Sequence, residues 1–257
     1  MTFTLRRLSP SALRTWDECA LRWRWRNDRV PEPDPPYAGF MLGRMVHAGL
    51  EHAHRYAREV NAPVAGAELM DVVNSVLDLS TEQGREARRR VLTYLAHAGS
   101  IDGSSIIDVE RWLEMPGEDV VGRADLIRRA PSDGGVEVVD FKTGRLRGSD
   151  LVGWQADIYL AAAYLDPGIV AAGDVTFTIE ALGKDRVDVR SRTITQTQAE
   201  ELVRSVRSAV AHRRDQILSD PHEPTVGPWC RMCPYASYCP AMNGEPPDGV
   251  YRPEWPT

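Results

Sequence analysis

The segment GGVEVVDFKTGR, residues 134–145, ends an apolar stretch with an acid and a base. Side chains two residues apart on a strand point to the same side of a sheet, so Asp140 and Lys142 are expected to project together. Lysine is rare in this chain, and Lys184 is its only other example. A carboxylate and an ammonium held side by side can form a surface ion pair or half of a catalytic site, and this segment alone favours neither.

A second carboxylate is expected close to the first. Residues 119–129 and 135–142 are rich in β-branched side chains, and PSDGG between them predicts a hairpin turn. Antiparallel pairing about that turn places Asp125 opposite Asp140 and Phe141, and two carboxylates from neighbouring strands can share one Mg²⁺ ion. Lys142 could then orient or deprotonate a water and offset charge on a phosphate oxygen. A cross-strand salt bridge at a sheet edge is the alternative.

Two helical segments carry further polar groups. In GRMVHAGLEHAHR, His47 and His54 lie close to one face of a predicted helix, and the run is not the H-E-x-x-H pattern of zinc peptidases. His54 and its neighbour His52 are expected at the surface. In GWQADIYL, Gln155 and Tyr159 share a helix face, where they could brace the Lys142 strand, contact nucleic acid or simply be surface residues.

The chain also contains four cysteines. Three form CRMCPYASYCP near the C-terminal end, and the fourth lies close to the other end. In a reducing compartment such a set favours metal ligation over disulfides, and four thiolates suit either Zn²⁺ or a [4Fe-4S] cluster. Zinc ribbons normally use two C-x2-C pairs, so this spacing fits a ribbon poorly. The cysteines are Cys19, Cys230, Cys233 and Cys239.

Composition limits the possible functions. The chain has 257 residues, 42% hydrophobic and 26% charged, with a net charge of −6, which disfavours coating of nucleic acid by bulk attraction. A nucleic-acid partner would need a local basic groove; RWRWRNDR is one candidate, with Trp23 expected in the core and Trp25 left open. No apolar run suits a membrane span or signal peptide, which predicts a cytoplasmic protein. No G-x4-G-K-[ST] run occurs, so the chain is not itself predicted to be an ATP-driven helicase.

The order of elements predicts an α/β fold with a mixed sheet, a helical insertion and a four-cysteine metal clasp joining the N- and C-termini. Helices are expected over 9–29, 42–60, 67–98 with a break near Gly84, 150–165, and from a Thr195–Gln198 capping box to about residue 218. Strands are expected in IIDVERWLEM, DVVGRADLIRR, GVEVVDFK, DVTFTIEAL and RVDVRSRTI.

Six motifs in order resemble the PD-(D/E)XK nuclease superfamily, in its RecB-like branch. GRMVHAGLE, VVGRADLI, VVDFKTG and QADIYLAAAY resemble the nuclease motifs. LSPSALRTWDECALRWRWR and CRMCPYASYCP resemble the iron–sulfur members, which include AddB-type nuclease domains and CRISPR-associated exonucleases. The resemblance covers about residues 8–240 and implies a restriction-endonuclease-like sheet. It departs at Ala20, where proline is frequent, and at Asp140, where some members have glutamate.

The resemblance implies a role for each matching residue. It makes His47, Asp125, Asp140 and the Phe141 carbonyl ligands of Mg²⁺ or Mn²⁺, with Lys142 as the catalytic lysine. It associates Gln155 and Tyr159 with DNA engagement. Many family members also have an acid on the strand before Asp125, and Glu110 lies at that place, although this match is weaker than the others. Arg145 and Arg147, just past the Lys142 strand, are expected to contact DNA. The four cysteines would hold a [4Fe-4S] cluster, with Zn²⁺ as the alternative.

These roles imply one nuclease domain over residues 1–240, with helical part 40–100, nuclease core 101–218 and an extended tail 241–257. The expected function is metal-dependent hydrolysis of DNA, acting on single-stranded ends in repair, recombination or CRISPR adaptation beside a helicase or other proteins of those systems. Two rival hypotheses are a non-catalytic module that binds DNA ends and an iron–sulfur redox protein. The second rival leaves the Asp140–Lys142 strand unexplained.

Overall fold

The structure is a computed structural model that describes residues 4–34, 38–130, 134–144, 146, 148–169 and 173–253. Its contacts group into two compact units. The sheet unit consists of Ala38–Met115 and Gly122–Arg204, and the terminal unit consists of Met1–Tyr37, Pro116–Val121 and Ser205–Thr257. Within the described part of the chain, no helix combines the length and apolar character needed to cross a lipid bilayer.

A five-stranded mixed sheet forms the centre of the sheet unit, in the order β3-β4-β5-β6-β7. β4 and β5 are antiparallel, β5 and β6 are parallel, and β6 and β7 are antiparallel. β1 and β2 form a separate antiparallel pair. The predicted strands and the mixed sheet are therefore confirmed. The bounds are β1 Pro63–Ala65, β2 Ser100–Asp102, β3 Ile106–Met115, β4 Val120–Arg129, β5 Val136–Lys142, β6 Val175–Leu182 and β7 Val187–Ile194.

The parallel pairing of β5 with β6 requires a crossover, which a short 3₁₀ turn at Gly148–Leu151 and helix Trp154–Leu165 provide. Seven of the twelve residues of this helix are buried, which fits its largely apolar sequence. Gly153 precedes it with φ 98°, a conformation that favours glycine. The first turn of the helix lies against the end of β5, where Gln155 contacts Asp140.

Three helices form the helical part of the sheet unit and pack around a core that includes Val46, Leu50, Val91 and Phe141. The predicted break within residues 67–98 is present, but it lies at residues 77–81 and not at Gly84 itself. The helix ends at Val76 and the next begins at Glu82, capped by Thr81, whose hydroxyl accepts a hydrogen bond from the Gly84 N–H. Gly84 lies within the first turn, where a side chain would collide with the Asp78 carbonyl.

The terminal unit holds both ends of the chain. The single helix predicted over residues 9–29 is two helices, separated at Cys19, which has an extended backbone and caps the second helix through its sulfur.

The predicted capping box is confirmed by paired hydrogen bonds between Thr195 and Gln198. Helix bounds in the chain are α1 Pro10–Glu18, α2 Ala20–Asn27, α3 Ala38–Val60, α4 Gly66–Val76, α5 Glu82–Ala98, α6 Trp154–Leu165 and α7 Gln196–Ser219.

The arginine–tryptophan segment RWRWRNDR contributes its tryptophans to the core of the terminal unit. Trp23 is buried, as predicted, and Trp25 is 1% exposed, so neither offers a free ring to nucleic acid. Trp25 packs against Tyr235, with ring centres 5.4 Å apart, and donates a hydrogen bond to the Tyr251 carbonyl. The stretch after Asn243 is irregular through Pro253 and contacts the core through Tyr251.

Candidate active site

Asp125 lies on β4 where this strand separates from β5. The last ladder pair at this end joins Leu126 to Val139. One residue further, the Asp125 carboxylate accepts a hydrogen bond from the backbone N–H of Phe141 at 2.7 Å. A side-chain oxygen thus replaces a backbone carbonyl in the ladder and fixes the carboxylate against β5. The register agrees with the sequence prediction that Asp125 faces Asp140 and Phe141.

Asp140, Lys142 and Gln155 form a closed ring of polar contacts. Gln155, at the start of α6, donates from Nε2 to Oδ1 of Asp140 at 2.6 Å. The Lys142 ammonium lies 2.7 Å from the other oxygen of Asp140 and donates to the Gln155 side-chain carbonyl at 3.2 Å. The Asp140 carboxylate is buried, whereas the Lys142 side chain is 35% exposed. A solvent-facing ammonium is therefore held in place by a buried acid and amide.

His47 reaches the same site from α3. The apolar side of this helix, including Val46 and Leu50, is buried in the core, which turns the imidazole toward the end of β4. Nδ1 of His47 lies 3.2 Å from Oδ1 of Asp125. Donation from Nδ1 leaves the lone pair on Nε2 for a metal ion, an arrangement common among metal-binding histidines.

Glu110 occupies an irregular position on β3. Its backbone φ is 56°, which is uncommon for a residue other than glycine, asparagine or aspartate. Such irregularities in edge strands redirect side chains and often lie beside functional sites. The Glu110 side chain is 6% exposed and forms an ion pair with Arg123 on β4. Among the acids predicted from the sequence Glu110 is the weakest match to the family, and no alternation pattern predicts the bend.

Three potential metal ligands converge at this point. One ligand atom from each of His47, Glu110 and Asp125 lies within 4.8 Å of the other two. An imidazole nitrogen and carboxylate oxygens are suitable donors for Mn²⁺, and carboxylate oxygens suit Mg²⁺. The sequence prediction had named His47 and Asp125 together with Asp140 and the Phe141 carbonyl. Asp140 is instead engaged by Lys142 and Gln155, and the Phe141 carbonyl stays a predicted ligand.

The pKa shifts in the site reflect burial first and the neighbouring carboxylates second. Burial raises the pKa of Asp140 against the opposing effect of Lys142, and Asp125 raises it further. Burial and the nearby Asp125 also raise the pKa of Glu110. Burial lowers the pKa of His47, but the hydrogen bond and charge of Asp125 outweigh it, so the pKa of His47 is raised. Every shift favours added positive charge, which a divalent cation would supply.

Comparison with known proteins supports this chemistry. A family model described as the PD-(D/E)XK nuclease superfamily matches residues 7–240, which is most of the chain. The chain belongs to the PD-(D/E)XK nuclease superfamily. A solved structure titled "Crystal structure of SSO0001" is 16% identical, covers 94% of this chain and 90% of its own, and aligns with a TM-score of 0.42. No curated protein matches the chain.

PD-(D/E)XK nucleases use divalent metal ions, and the five-stranded mixed sheet flanked by helices is consistent with their fold. In this PD-(D/E)XK chain, Tyr159 supports the site from within. Its side chain is 5% exposed, its hydroxyl donates to the Arg123 carbonyl at 2.7 Å, and its ring occupies the space where Gly122 lacks a side chain. The predicted DNA contact of Tyr159 is untested, and its observed contacts position β4.

Two other sequence predictions concern the same PD-(D/E)XK site. Arg145 and Arg147 lie outside the described residues. The surface position predicted for His54 was wrong, because this histidine is 1% exposed. It is hydrogen-bonded to the Leu50 carbonyl and the Tyr94 hydroxyl, and it stacks on Phe141 with ring centres 5.5 Å apart. The ring therefore supports the strand that carries Asp140 and Lys142.

The four cysteines lie within the terminal unit and line one small cavity. None of the four is in a disulfide. Backbone N–H groups of Arg22 and Gly227 donate to the sulfurs of Cys19 and Cys230. Burial raises the pKa of Cys233 and Cys239, so holding them as thiolates would require a nearby cation. These residues are Cys19, Cys230, Cys233 and Cys239, the set that the sequence grouped together.

Proposed function

We propose that this PD-(D/E)XK protein is a divalent-metal-dependent deoxyribonuclease that degrades single-stranded DNA from its ends. The observation that carries the proposal is the convergence of His47, Glu110 and Asp125 beside the Asp140–Lys142 pair. The Glu110 and Asp125 carboxylates converge with the His47 imidazole, and the Asp140–Lys142 pair lies on the strand next to Asp125.

The donor set fits a bound divalent ion. His47, Asp125 and Glu110 would hold Mg²⁺ or Mn²⁺, and Asp140 would join them through an oxygen now facing Lys142. When bound, such an ion polarises the scissile phosphate and lowers the pKa of an attacking water. The Phe141 carbonyl remains a candidate for a further ligand position.

The chain's own groups have separable roles in the hydrolysis. A water oxygen bonds to phosphorus, the bond from phosphorus to the leaving oxygen breaks, and that oxygen takes up a proton. The Lys142 ammonium, fixed by Asp140 and Gln155, offsets charge that develops on the phosphate. Gln155 holds both partners in register, and Tyr159 fixes the backbone at Arg123. We propose that Gln155 also engages DNA, as do Arg145 and Arg147.

Cleavage of end-labelled DNA tests this function. Linear single-stranded DNA, duplex DNA and circular single-stranded DNA are incubated with Mn²⁺, Mg²⁺ or EDTA, and parallel substrates carry blocked 5′ or 3′ ends. We expect metal-dependent loss of linear single strands and survival of the circles. Lys142→Ala should abolish cleavage. The control is Lys184→Ala, which changes the only other lysine of the sequence, an exposed residue, and should not affect cleavage.

Two results would overturn the proposal. Equal cleavage by wild type and Lys142→Ala would exclude this site as its source. Tight binding to DNA ends without cleavage in any divalent metal would favour the non-catalytic module instead. Cleavage of circles as fast as linear strands would retain the nuclease and exclude the restriction to ends.

We further propose that the four cysteines hold a structural [4Fe-4S] cluster, with Zn²⁺ as the alternative. All four cysteines line one small cavity. Their sequence spacing, C-x2-C-x5-C with one remote cysteine, fits a zinc ribbon poorly, and the resemblance to iron–sulfur members favours the cluster. Anaerobic purification followed by analysis of iron, sulfide and zinc distinguishes the two. One equivalent of zinc without sulfide would exclude the cluster.

We also propose a cytoplasmic location, because a cysteine-ligated iron–sulfur centre suits a reducing compartment. We also propose that residues 1–240 form one nuclease domain, with a helical part at 40–100 and a nuclease core at 101–218, followed by a tail at 241–257. We propose that the protein acts in repair, recombination or CRISPR adaptation, in partnership with a helicase.

A further inference from the structure

Trp112 is an unusual surface residue. Among the described tryptophans it is the one in the exposed class, with 59% of its surface accessible, while Trp16, Trp23 and Trp25 are buried. It lies on β3, the edge strand of the sheet, two residues after Glu110. A single exposed aromatic residue needs no explanation by itself. The surroundings of Trp112 are what distinguish it.

Arg123 connects Trp112 to the candidate active site. Its guanidinium carbon lies 5.9 Å from the centre of the Trp112 ring, and its side chain also forms the ion pair with Glu110. The Arg123 side chain remains half exposed. Its backbone is fixed by the Tyr159 hydroxyl, which donates to the Arg123 carbonyl. Arg123 thus links the exposed indole to Glu110, which is one of the converging metal ligands.

The geometry points to a base-stacking element: we propose that Trp112 stacks on an unpaired base of the DNA strand whose phosphate lies in the active site, while Arg123 contacts the adjoining backbone. This inference rests on the proposed nuclease function and adds the residues that select single strands. Indole rings and arginines are the groups with which proteins bind single strands without reading their sequence.

The physical basis of the selection is the availability of base faces. Within a duplex each base is stacked between its neighbours, so the Trp112 ring could gain contact only after unstacking, which costs free energy. An unpaired strand presents bare faces at little cost. A ring placed beside the scissile phosphate therefore favours single strands in binding, before any chemical step.

Equilibrium binding measures this role apart from catalysis. Fluorescence anisotropy of labelled oligonucleotides in EDTA, where the DNA stays intact, compares wild type with Trp112→Ala and Trp112→Phe. We expect Trp112→Ala to weaken single-strand binding about 5- to 100-fold, as removal of one stacking platform does elsewhere. Duplex binding should change less than about twofold, and Trp112→Phe should retain most of the affinity.

A matched control lies on the opposite edge of the same sheet. Val189 on β7 is also apolar and exposed, so Val189→Ala should leave both affinities unchanged. Oligonucleotides with one abasic position, moved along the strand, locate the contact. At one position the missing base should weaken wild-type binding and leave Trp112→Ala unaffected.

The outcomes separate this inference from the proposed function. Wild-type cleavage of DNA with unchanged single-strand affinity in Trp112→Ala would overturn the stacking role, leave the nuclease intact and favour a protein contact at Trp112. Equal weakening on single strands and duplexes would also overturn it. A wild-type protein that neither binds nor cleaves DNA would overturn both proposals together.

Discussion

Two clusters of charge on the same sheet differ in how their acids are balanced. The carboxylate site comprises His47, Glu110, Asp125, Asp140 and Lys142. The Arg128 cluster comprises Arg128, Glu137 and Glu180, on β4, β5 and β6. In the Arg128 cluster the guanidinium donates to Glu137 at 2.6 Å and to Glu180 at 3.1 Å. One shared cation closes that cluster, whereas the carboxylate site brings three potential metal ligands together.

The comparison also shows why a large cavity is a poor guide to function here. A cleft of about 600 Å³ lies beside the Arg128 cluster and is lined by His54 and Tyr94 as well. Burial raises the pKa of Glu137, but the hydrogen bond and charge of Arg128 outweigh it and hold that pKa below its ordinary value. At Glu180, burial outweighs the charge of Arg128 and raises the pKa. Among the described residues, no group of three potential metal ligands converges beside this cleft.

The largest expected effect separates the two clusters by activity. Asp125→Asn removes the carboxylate that contacts both His47 and the Phe141 amide. We expect it to lower the rate of DNA cleavage by more than about 1,000-fold, because the metal ligands would lose their positioning and the charge on the phosphate its stabilisation. Glu137→Gln changes a partly buried acid of the other cluster and should keep the rate within about tenfold of wild type. Single-turnover cleavage in Mn²⁺ measures both. Similar losses in the two variants would remove the distinction.

The next effect is one of stability. Arg128→Leu leaves Glu137 and Glu180 without their shared partner in a largely buried position. Breaking a buried ion pair from one side costs about 3–5 kcal/mol, and we expect a decrease of that size in the free energy of unfolding. Urea denaturation measures it. The control is Arg186→Ala, because the Arg186 side chain is 80% exposed and pairs with Asp188. This change should alter the free energy of unfolding by less than about 1 kcal/mol.

The two histidines of α3 extend the comparison to pH. Burial, with a smaller contribution from Arg128, lowers the pKa of His54 from 6.5 to about 4. The neutral ring is favoured in the folded state. The contribution of His54 to the free energy of unfolding is therefore fully present above pH 6.5 and is lost as the pH falls from 6.5 to about 4. The loss approaches about 3 kcal/mol.

The pH dependence of unfolding by urea, in wild type and His54→Gln, checks this expectation. The stability of the variant should fall less steeply between pH 6.5 and about 4. His52→Gln, which changes an exposed histidine of the same helix, should keep the wild-type slope. Parallel curves for wild type and His54→Gln would show that the buried ring does not titrate in this range.

The smallest expected effect concerns Glu110. Burial and the charge of Asp125 disfavour its ionised form, so Glu110→Gln should raise the melting temperature in EDTA. The same change should weaken Mn²⁺ binding, because one converging donor is lost. Thermal unfolding with and without Mn²⁺ measures both. Lower stability in EDTA would place Glu110 among the structural acids.

Much of the fold and part of the site could be predicted from sequence. Strand alternation, the hairpin turn and the Thr195–Gln198 capping box are local patterns, so the register that joins Asp125 to Phe141 followed from them. The break at Cys19 was missed, because the apolar spacing continues through it.

Long-range features could not be predicted in the same way. The burial of His54 depends on Tyr94 and Phe141, which lie far away in sequence. The convergence of Glu110 on Asp125 depends on an irregular φ in β3, which no periodicity reports. The Arg128 cluster joins three strands and has no local motif. Such features become apparent only when the strands are assembled.

The location of bound Mn²⁺ tests the central claim most directly. Anomalous scattering from crystals soaked in Mn²⁺ would locate the ion relative to both charge clusters. We expect one strong peak in contact with the Asp125 carboxylate, with further ligands from His47, Glu110 or Asp140. A peak at Glu137 and Glu180, or no ion at Asp125 under conditions that support DNA cleavage, would contradict the assignment of the carboxylate site as the active site.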